Sequence, residues 1–231
     1  RFEKMLHDMF SFGERVMADR IQNPREDLLT TIANATLGDK PMSQSYLDGS
    51  WLLIIFAGND TTRNSLSGTI RLLTEFPDQR QMVIDDPSLI ERMSHEALRM
   101  VSPVMHMRRT AVEDTEVAGQ RIARDEKVIM WYGAANRDPT VFPDPDVFDL
   151  TRPNVDKHLA FGHGAHRCLG NRVAQMQLKM AYERILERFP NIHWTGKQKI
   201  EPIILVHAIS SLQVNLYGKD GKRPVQVAVA K

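Results

Sequence analysis

The sequence predicts a mainly α-helical domain carrying small β-sheets, and three observations lead to that expectation. Apolar residues recur at helical spacing from Phe2 to Met100, in segments cut by Pro24, Pro77, Pro87 and Pro103. From Val104 the period shortens to strand-like runs around turn residues. A glycine-rich loop around the lone cysteine, Cys168, then leads into another helical pattern. The chain has 231 residues, 42% hydrophobic and 26% charged, which suffices for one sizeable core.

Taken in order, Arg1 to Ile21 reads as an amphipathic helix ended by Asn23-Pro24, and Arg25 to Leu37 as a second helix closed by Gly38. Ser43 to Phe76 reads as a long third helix stopped at Pro77. Its middle, Trp51-Leu52-Leu53-Ile54-Ile55-Phe56, is apolar all round and is expected to be buried. Pro77 to Asp86 is a short helix, and Pro87 opens another that runs through Met100. Glu116 to Ile122 reads as a strand pair around a Gly turn, and Lys127 to Tyr132 as a buried strand. Asn136 to Asn154 is a long irregular stretch rich in Pro and Asp, of the kind kept for function or for dense local contacts. Arg172 to Arg188 reads as a helix with Val173, Met176, Met180 and Ile185 near helical spacing, followed by short strands near Ile203–Val206 and Leu212–Leu216. The domain is expected to cover residues 1–217, with 218–231 a tail of different character.

The formal net charge of +1 gives no argument for nucleic acid, and no basic stripe is interleaved with aromatics. One cysteine excludes an internal disulfide framework and fits a reducing compartment. The longest apolar run is too short to span a bilayer. A cytoplasmic location is expected.

Four motifs carry chemistry. The first is Phe161-Gly162-His163-Gly164-Ala165-His166-Arg167-Cys168-Leu169-Gly170. Its glycines allow tight turning and close approach of a ligand. A sulfur just ahead of a helix faces unpaired N–H groups and the positive end of the dipole, which favours a thiolate suited to bind a metal. Three other readings of the cysteine stand beside it: a small buried hydrophobe, a nucleophile served by His166, and a zinc ligand, although no second cysteine exists. The second motif is Ala57-Gly58-Asn59-Asp60-Thr61-Thr62, midway along the long helix. Ile54, Ala57, Gly58, Thr61 and Ser65 share a face that Ala57 and Gly58 make flat, against which a wide object or a second helix could lie. Thr61 can bond a carbonyl one turn back and bend the helix, and Asp60 adds a carboxyl group that must be paired, solvated or functional. The third is Glu96-Ala97-Leu98-Arg99, an i, i+3 pair that alone reads as a solvated surface pair. The fourth is Arg108-Arg109-Thr110-Ala111, whose paired guanidinium forks suit carboxylate or phosphate, although alone it reads as a solvated strand end.

Together, in this order, the motifs resemble the cytochrome P450 family of haem-thiolate monooxygenases. Phe161-x-x-Gly164-x-His166-x-Cys168-x-Gly170 is similar to its haem-binding signature and Ala57-Gly58-x-Asp60-Thr61-Thr62 to its oxygen-activation motif. Glu96-x-x-Arg99 is similar to its ExxR motif, and Phe148 and Arg152 to the segment that completes a Glu-Arg-Arg triad. The resemblance runs from about Arg1 to Tyr217 and implies the C-terminal portion of the family fold. Its wording is similar to bacterial alkane and fatty-acid hydroxylases, with terpene and sterol hydroxylases as neighbours.

The resemblance implies haem b as cofactor, with Cys168 as axial ligand to its iron and Phe161 shielding the sulfur. It implies that His166 and Arg109 contact the haem propionates, and that Ala57, Gly58 and Gly162 lie along the cofactor. Asp60 and Thr61 would deliver protons during activation of O2, the co-substrate. Glu96, Arg99 and Arg152 would form a buried network that locks the Cys168 loop. Val104, Met105, Ala208 and Ile209 fall in substrate-recognition stretches, and their apolar character suits a small apolar substrate. Electrons would come from NAD(P)H through a ferredoxin reductase and a ferredoxin, with Arg167 and Arg172 able to meet an acidic ferredoxin. Two other classes compete: a haem-thiolate peroxygenase or sensor, and an inactive truncated fragment.

Overall fold

The computed structural model describes residues 2–219, so the tail expected at 218–231 lies outside the described residues from 220 on. The chain forms two compact units, Arg1–Asn59 and Asp60–Lys231.

The first unit holds α1 (Phe2–Gln22), α2 (Leu28–Ala33), a two-stranded hairpin of β1 (Thr36–Leu37) and β2 (Lys40–Pro41), and the first half of α3 (Gln44–Glu75). The second helix is shorter than the expected Arg25 to Leu37. Asp27 caps its start by accepting from the Thr30 amide at 2.7 Å, and Asn34 ends it. Gly38 is no helix cap. It takes φ 61° in the hairpin turn, where a side chain would be strained. The core of this unit is Met17, Ala33 and Trp51, with Val16, Leu29 and Ile32 against it. An added Cβ at Gly13 would lie 2.5 Å from the Trp51 ring, so glycine is what lets α1 approach this indole. The ring nitrogen donates to the Met9 carbonyl at 3.1 Å.

The expected burial of the apolar run in α3 is corrected. Trp51 is buried, but Leu52, Leu53, Ile55 and Phe56 are exposed. An all-round apolar helix signals burial only where neighbours surround it, and in this unit the packed neighbours serve Trp51.

The second unit continues α3 and adds α4 (Pro77–Asp85), a 3-10 turn at Pro87–Leu89, and α5 (Ile90–Val101). Then come β3 (His106–Thr110), β4 (Thr115–Val117), β5 (Gln120–Ile122), β6 (Lys127–Trp131) and the short α6 (Tyr132–Ala135). An irregular stretch with 3-10 turns at Val155–Lys157 and Gly164–His166 leads to α7 (Asn171–Arg188), and β7 (His193–Glu201) and β8 (Ala208–Asn215) close the unit. The described strands form two-stranded antiparallel sheets: β1 with β2, β3 with β6, β4 with β5, and β7 with β8.

α5 is the centre of this unit. Ile90, Met93, Ala97, Met100 and Val101 are buried on it, as are Glu96 and Arg99. They pack with Leu72 and Leu73 of α3, Val83 of α4, Phe148 and Leu150 of the irregular stretch, and Leu178, Tyr182 and Leu186 of α7. Ser102 at φ 43° ends α5 ahead of Pro103.

The sequence left the packing face of α7 open, and two other expectations are corrected here. The face of α7 that packs is Leu178, Tyr182 and Leu186, at i, i+4 and i+8, while Val173, Met176 and Met180 are exposed. The helix carries two apolar stripes, and contact with α5 selects one. β6 is not buried. It pairs with β3 alone, and Ile129 and Trp131 are exposed. The expected strand at Leu212–Leu216 is the second half of β8, while Ile203–Val206 forms no named strand; β8 pairs with β7, whose residues His193-Trp194-Thr195-Gly196-Lys197-Gln198-Lys199-Ile200-Glu201 are mostly polar and exposed. Its period-2 signal is broken by register shifts between Trp194 and Gln198 and between Lys199 and Ile200. Val206 keeps only an isolated bridge to Val104.

Gly68 lets α3 approach α5: an added Cβ would lie 2.5 Å from Cγ2 and 3.0 Å from Cγ1 of Val101, a stiff β-branched neighbour. Gly68→Ala is expected to lower stability in denaturant unfolding by about 1–3 kcal/mol despite the better helix propensity of alanine. The Gly68→Ala/Val101→Ala double variant is expected to lose less than the two single losses added together.

Candidate functional site

The site is built outward from one buried carboxylate. Glu96 and Arg99 are fully buried and Arg152 nearly so. The bare i, i+3 spacing on α5 read as a surface pair; the fold makes it the most enclosed ion cluster among the described residues. Arg99 donates to both oxygens of Glu96, Nε to Oε2 and Nη2 to Oε1, each at 2.8 Å. Glu96 Oε1 also accepts from Arg152 Nε at 3.2 Å and from the Asp149 amide at 3.1 Å.

The remaining guanidinium protons go to backbone carbonyls of the irregular stretch. Arg99 donates to the carbonyls of Asn136 (2.8 Å), Pro145 (2.7 Å) and Val147 (3.1 Å). Arg152 donates to those of Pro143 (2.6 Å), Asp144 (3.1 Å) and Val147 (3.2 Å). Arg92 adds bonds to the carbonyls of Leu150 at 2.9 Å and Arg152 at 2.6 Å. A loop without regular structure has no ladder for its own carbonyls, and here three arginines supply the donors.

This clamp reaches the cysteine loop through Asn136, which is fully buried. Asn136 offers its carbonyl to Arg99, donates from Nδ2 to Ser102 Oγ at 2.8 Å, and accepts from the Leu159 amide on Oδ1 at 2.6 Å. Two residues on, the carbonyl of Phe161 accepts from the Cys168 amide at 2.8 Å. Phe161 is half-buried against the main core. Gly162 takes φ 68°, and an added Cβ there would stand 3.3 Å from the hydroxyl of Tyr132. Gly164 takes φ 69°, with nothing within 4 Å of an added Cβ. Cys168 and His166 are exposed, and Cys168 lies just before α7. Its carbonyl accepts from Asn171 Nδ2 at 2.6 Å.

Arg109 is half-buried on β3, opposite Val128, with Nη1 on the Arg108 carbonyl at 3.0 Å. Neither Arg109 nor His166 forms an ion pair with a described residue. Ala57 and Gly58 are exposed on α3, in the first unit. Asp60 and Thr61 are half-buried, in the second unit. Asp60 pairs with Arg63 at 2.9 Å, and the Thr61 carbonyl accepts from Ser65 Oγ at 2.8 Å.

The stretches around Val104, Met105, Ala208 and Ile209 are brought together. Val104 bridges Val206, the Met105 amide donates to the Leu205 carbonyl at 3.0 Å, and the His207 amide to the Pro103 carbonyl at 2.8 Å. Val104 and Met105 are half-buried, whereas Ala208 and Ile209 are buried. The Ile209 amide donates to Oδ1 of the fully buried Asn64, one turn beyond Thr61, at 2.7 Å. Asn64, Arg92 and Asn136 escaped sequence reading, because each acts on backbone groups far away in sequence and belongs to no local pattern.

The cytochrome P450 family profile matches residues 1–213. The chain belongs to the cytochrome P450 family. It is 39% identical over 216 residues to linalool 8-monooxygenase of Pseudomonas putida, covering 94% of this chain and 53% of that protein. It is 34% identical over 202 residues to a steroid C26-monooxygenase of Mycobacterium tuberculosis, covering 87% of this chain and 54% of that protein. Among solved structures, cytochrome P450-153 from Novosphingobium aromaticivorans superposes with a TM-score of 0.83 at 40% identity, over 91% of this chain and 52% of that one. The chain therefore spans about half the length of the P450 relatives it matches.

The residues present fit a haem. Among the described residues no group of three or more His, Cys, Asp or Glu gathers to hold a bare ion. The candidate donor is one exposed sulfur on a loop whose glycines leave the backbone open, which would suit a metal whose other ligands arrive with a macrocycle. No described helix is long and apolar enough to cross a membrane.

Beneath the P450 cysteine loop lies a second buried polar group. Burial first, then the neighbouring His95 with Arg99 and Arg167, push the His158 imidazole down to about 4, with Asp156 opposing. An imidazole of the unfolded chain titrates near 6.5, so on acidification protons bind the unfolded chain first. Stability is expected to hold above pH 6.5 and to fall as the pH drops toward 4, by on the order of 3 kcal/mol from this group. Urea unfolding across that range checks it, and the decline is expected to be smaller in His158→Asn.

Proposed function

We propose that this chain is the haem-binding, oxygen-handling portion of a bacterial class I monooxygenase. It hydroxylates a small apolar substrate: RH, O2, two electrons and two protons give ROH and water. The observation that carries this reading is the single cysteine presented on a glycine-rich loop that is tied to a fully buried Glu96–Arg99–Arg152 network. The relatives' names support the substrate class, since linalool, a steroid and methyl-branched lipids are all predominantly apolar.

Cys168 would hold the haem iron through its sulfur, with Phe161 and Gly162 beside it. His166 and Arg109 would bind the propionates by charge-assisted hydrogen bonds. Bound haem supplies the activation of dioxygen at the thiolate-ligated iron. Asp60 would carry protons inward and pass them to the hydroxyl of Thr61, which hands them to the reaction site. The Asp60–Arg63 pair is partly exposed, so its opening costs about 1 kcal/mol or less and leaves the carboxylate free to exchange protons with solvent. Val104, Met105, Ala208 and Ile209 would form part of the apolar wall at the substrate, while Glu96, Arg99 and Arg152 stay out of the chemistry. Electrons would come from NAD(P)H through a ferredoxin reductase and a ferredoxin, in the cytoplasm, with the exposed Arg167 and Arg172 meeting acidic groups of the ferredoxin.

Two measurements test this. Product formation is expected with a ferredoxin system and O2, and to be weak with peroxide alone. The reverse preference identifies a peroxygenase. Thr61→Ala is expected to keep electron consumption while diverting most of it to hydrogen peroxide; product per electron equal to wild type contradicts the proton-delivery role.

A further inference from the structure

His95 of α5 and His158 of the irregular stretch belong to none of the motifs above. His95 Nδ1 and His158 Nε2 stand 3.2 Å apart, and the rings are 5.4 Å apart between centroids. His158 is buried, and its ring packs on Phe161 at 5.7 Å. Its other nitrogen, Nδ1, accepts from the Ala160 amide at 3.2 Å.

These contacts fix the tautomers. A backbone N–H can only donate, so His158 Nδ1 carries the lone pair. A neutral His158 then carries its proton on Nε2 and donates it to His95 Nδ1. A neutral His95 carries its own proton on Nε2. His95 lines an open cleft of about 190 Å3 between α5 and α7, with Glu91, Ser94, Arg172, Gln175 and Lys179. The result is one directional chain from the Ala160 amide through His158 to His95. It acts beside the place where Leu159 is tied to Asn136 and Phe161 accepts from the Cys168 amide.

We propose that His158 and His95 are positioning residues for the Cys168 loop: they orient the Leu159–Ala160 peptide, two peptide units ahead of the Phe161 carbonyl that holds the Cys168 amide, and so set the course of the backbone into that carbonyl. The effect on a bound haem rests on the monooxygenase reading above; the effect on the loop does not. The clamp by Asn136 sets where the loop starts, and the histidine pair sets how its next peptide is turned.

Three variants test it. His158→Phe keeps a ring against Phe161 and removes the acceptor. His158→Asn keeps an acceptor near the position of Nδ1. His95→Gln, at a half-buried and more tolerant position, keeps an acceptor for His158 Nε2. Hydrogen exchange of the segment 158–168 is the first readout and needs no haem. Exchange is expected to quicken roughly tenfold in His158→Phe and to return most of the way to wild type in His158→Asn, with His95→Gln close to wild type. The second readout is the reduced-CO spectrum of the haem-loaded chain, where His158→Phe is expected to convert part of the thiolate-ligated band to the thiol-ligated one and His158→Asn to reverse this. Wild-type exchange in His158→Phe overturns the proposal, as does an Asn variant no better than Phe. If His158→Phe does not fold, wild-type protection in His95→Phe overturns it in the same way. Failure of the wild-type chain to take up haem overturns the monooxygenase reading and leaves the exchange result to decide this one.

Discussion

The Glu96 carboxylate holds the second unit in register. It is buried with two guanidinium groups, and the restraint on the cysteine loop is tied to one of those arginines through Asn136. Two cations and one anion removed from water are costly, and the cost is met only because nearly every donor has an acceptor. Those acceptors are the carbonyls of residues 136–147, which have no strand or helix partner of their own. The ions and the irregular backbone thus solve each other's desolvation problem. This is why a long stretch without regular structure can be part of a hydrophobic core, with Phe148 and Leu150 fully enclosed.

The same arrangement explains how an exposed cysteine can be well placed. The sulfur sits on a loop with positive-φ glycines at 162 and 164, a backbone that offers little packing of its own. Its rigidity is borrowed through Asn136 to Leu159, and through the Phe161 carbonyl to the Cys168 amide. In the P450 family such a loop presents its thiolate to iron. Here the supports that fix it lie almost entirely on α5 and the stretch behind it.

Much of this was legible in the sequence, and what was not has physical causes. The long helix ended at Pro77 and the α7 helix behind the cysteine followed from periodicity and proline chemistry, within one residue at each end. The Glu96 and Arg99 positions were legible only through resemblance, because i, i+3 spacing looks the same on a wet helix face and at the centre of a core. Burial of Leu52, Leu53, Ile55 and Phe56 was expected from composition and is absent, since an apolar side chain records a preference and not a neighbour. The β7 strand was missed because its residues are polar and its pairing is set by backbone hydrogen bonds with β8. Asn136, Asn64 and the His95–His158 pair were missed for the same reason: their partners lie 23 to 145 residues away.

The account rests on the claim that the buried ion network positions Cys168 as a thiolate ligand. The most direct test is the reduced-CO difference spectrum of the haem-loaded 231-residue chain, compared with Glu96→Gln and Cys168→Ser. The account predicts the thiolate-ligated band in the wild type, its loss in Cys168→Ser, and conversion to the thiol-ligated band or loss of haem in Glu96→Gln, which leaves two buried guanidiniums without their counter-charge. A thiolate band of full height in Glu96→Gln, or an unchanged spectrum in Cys168→Ser, would contradict it.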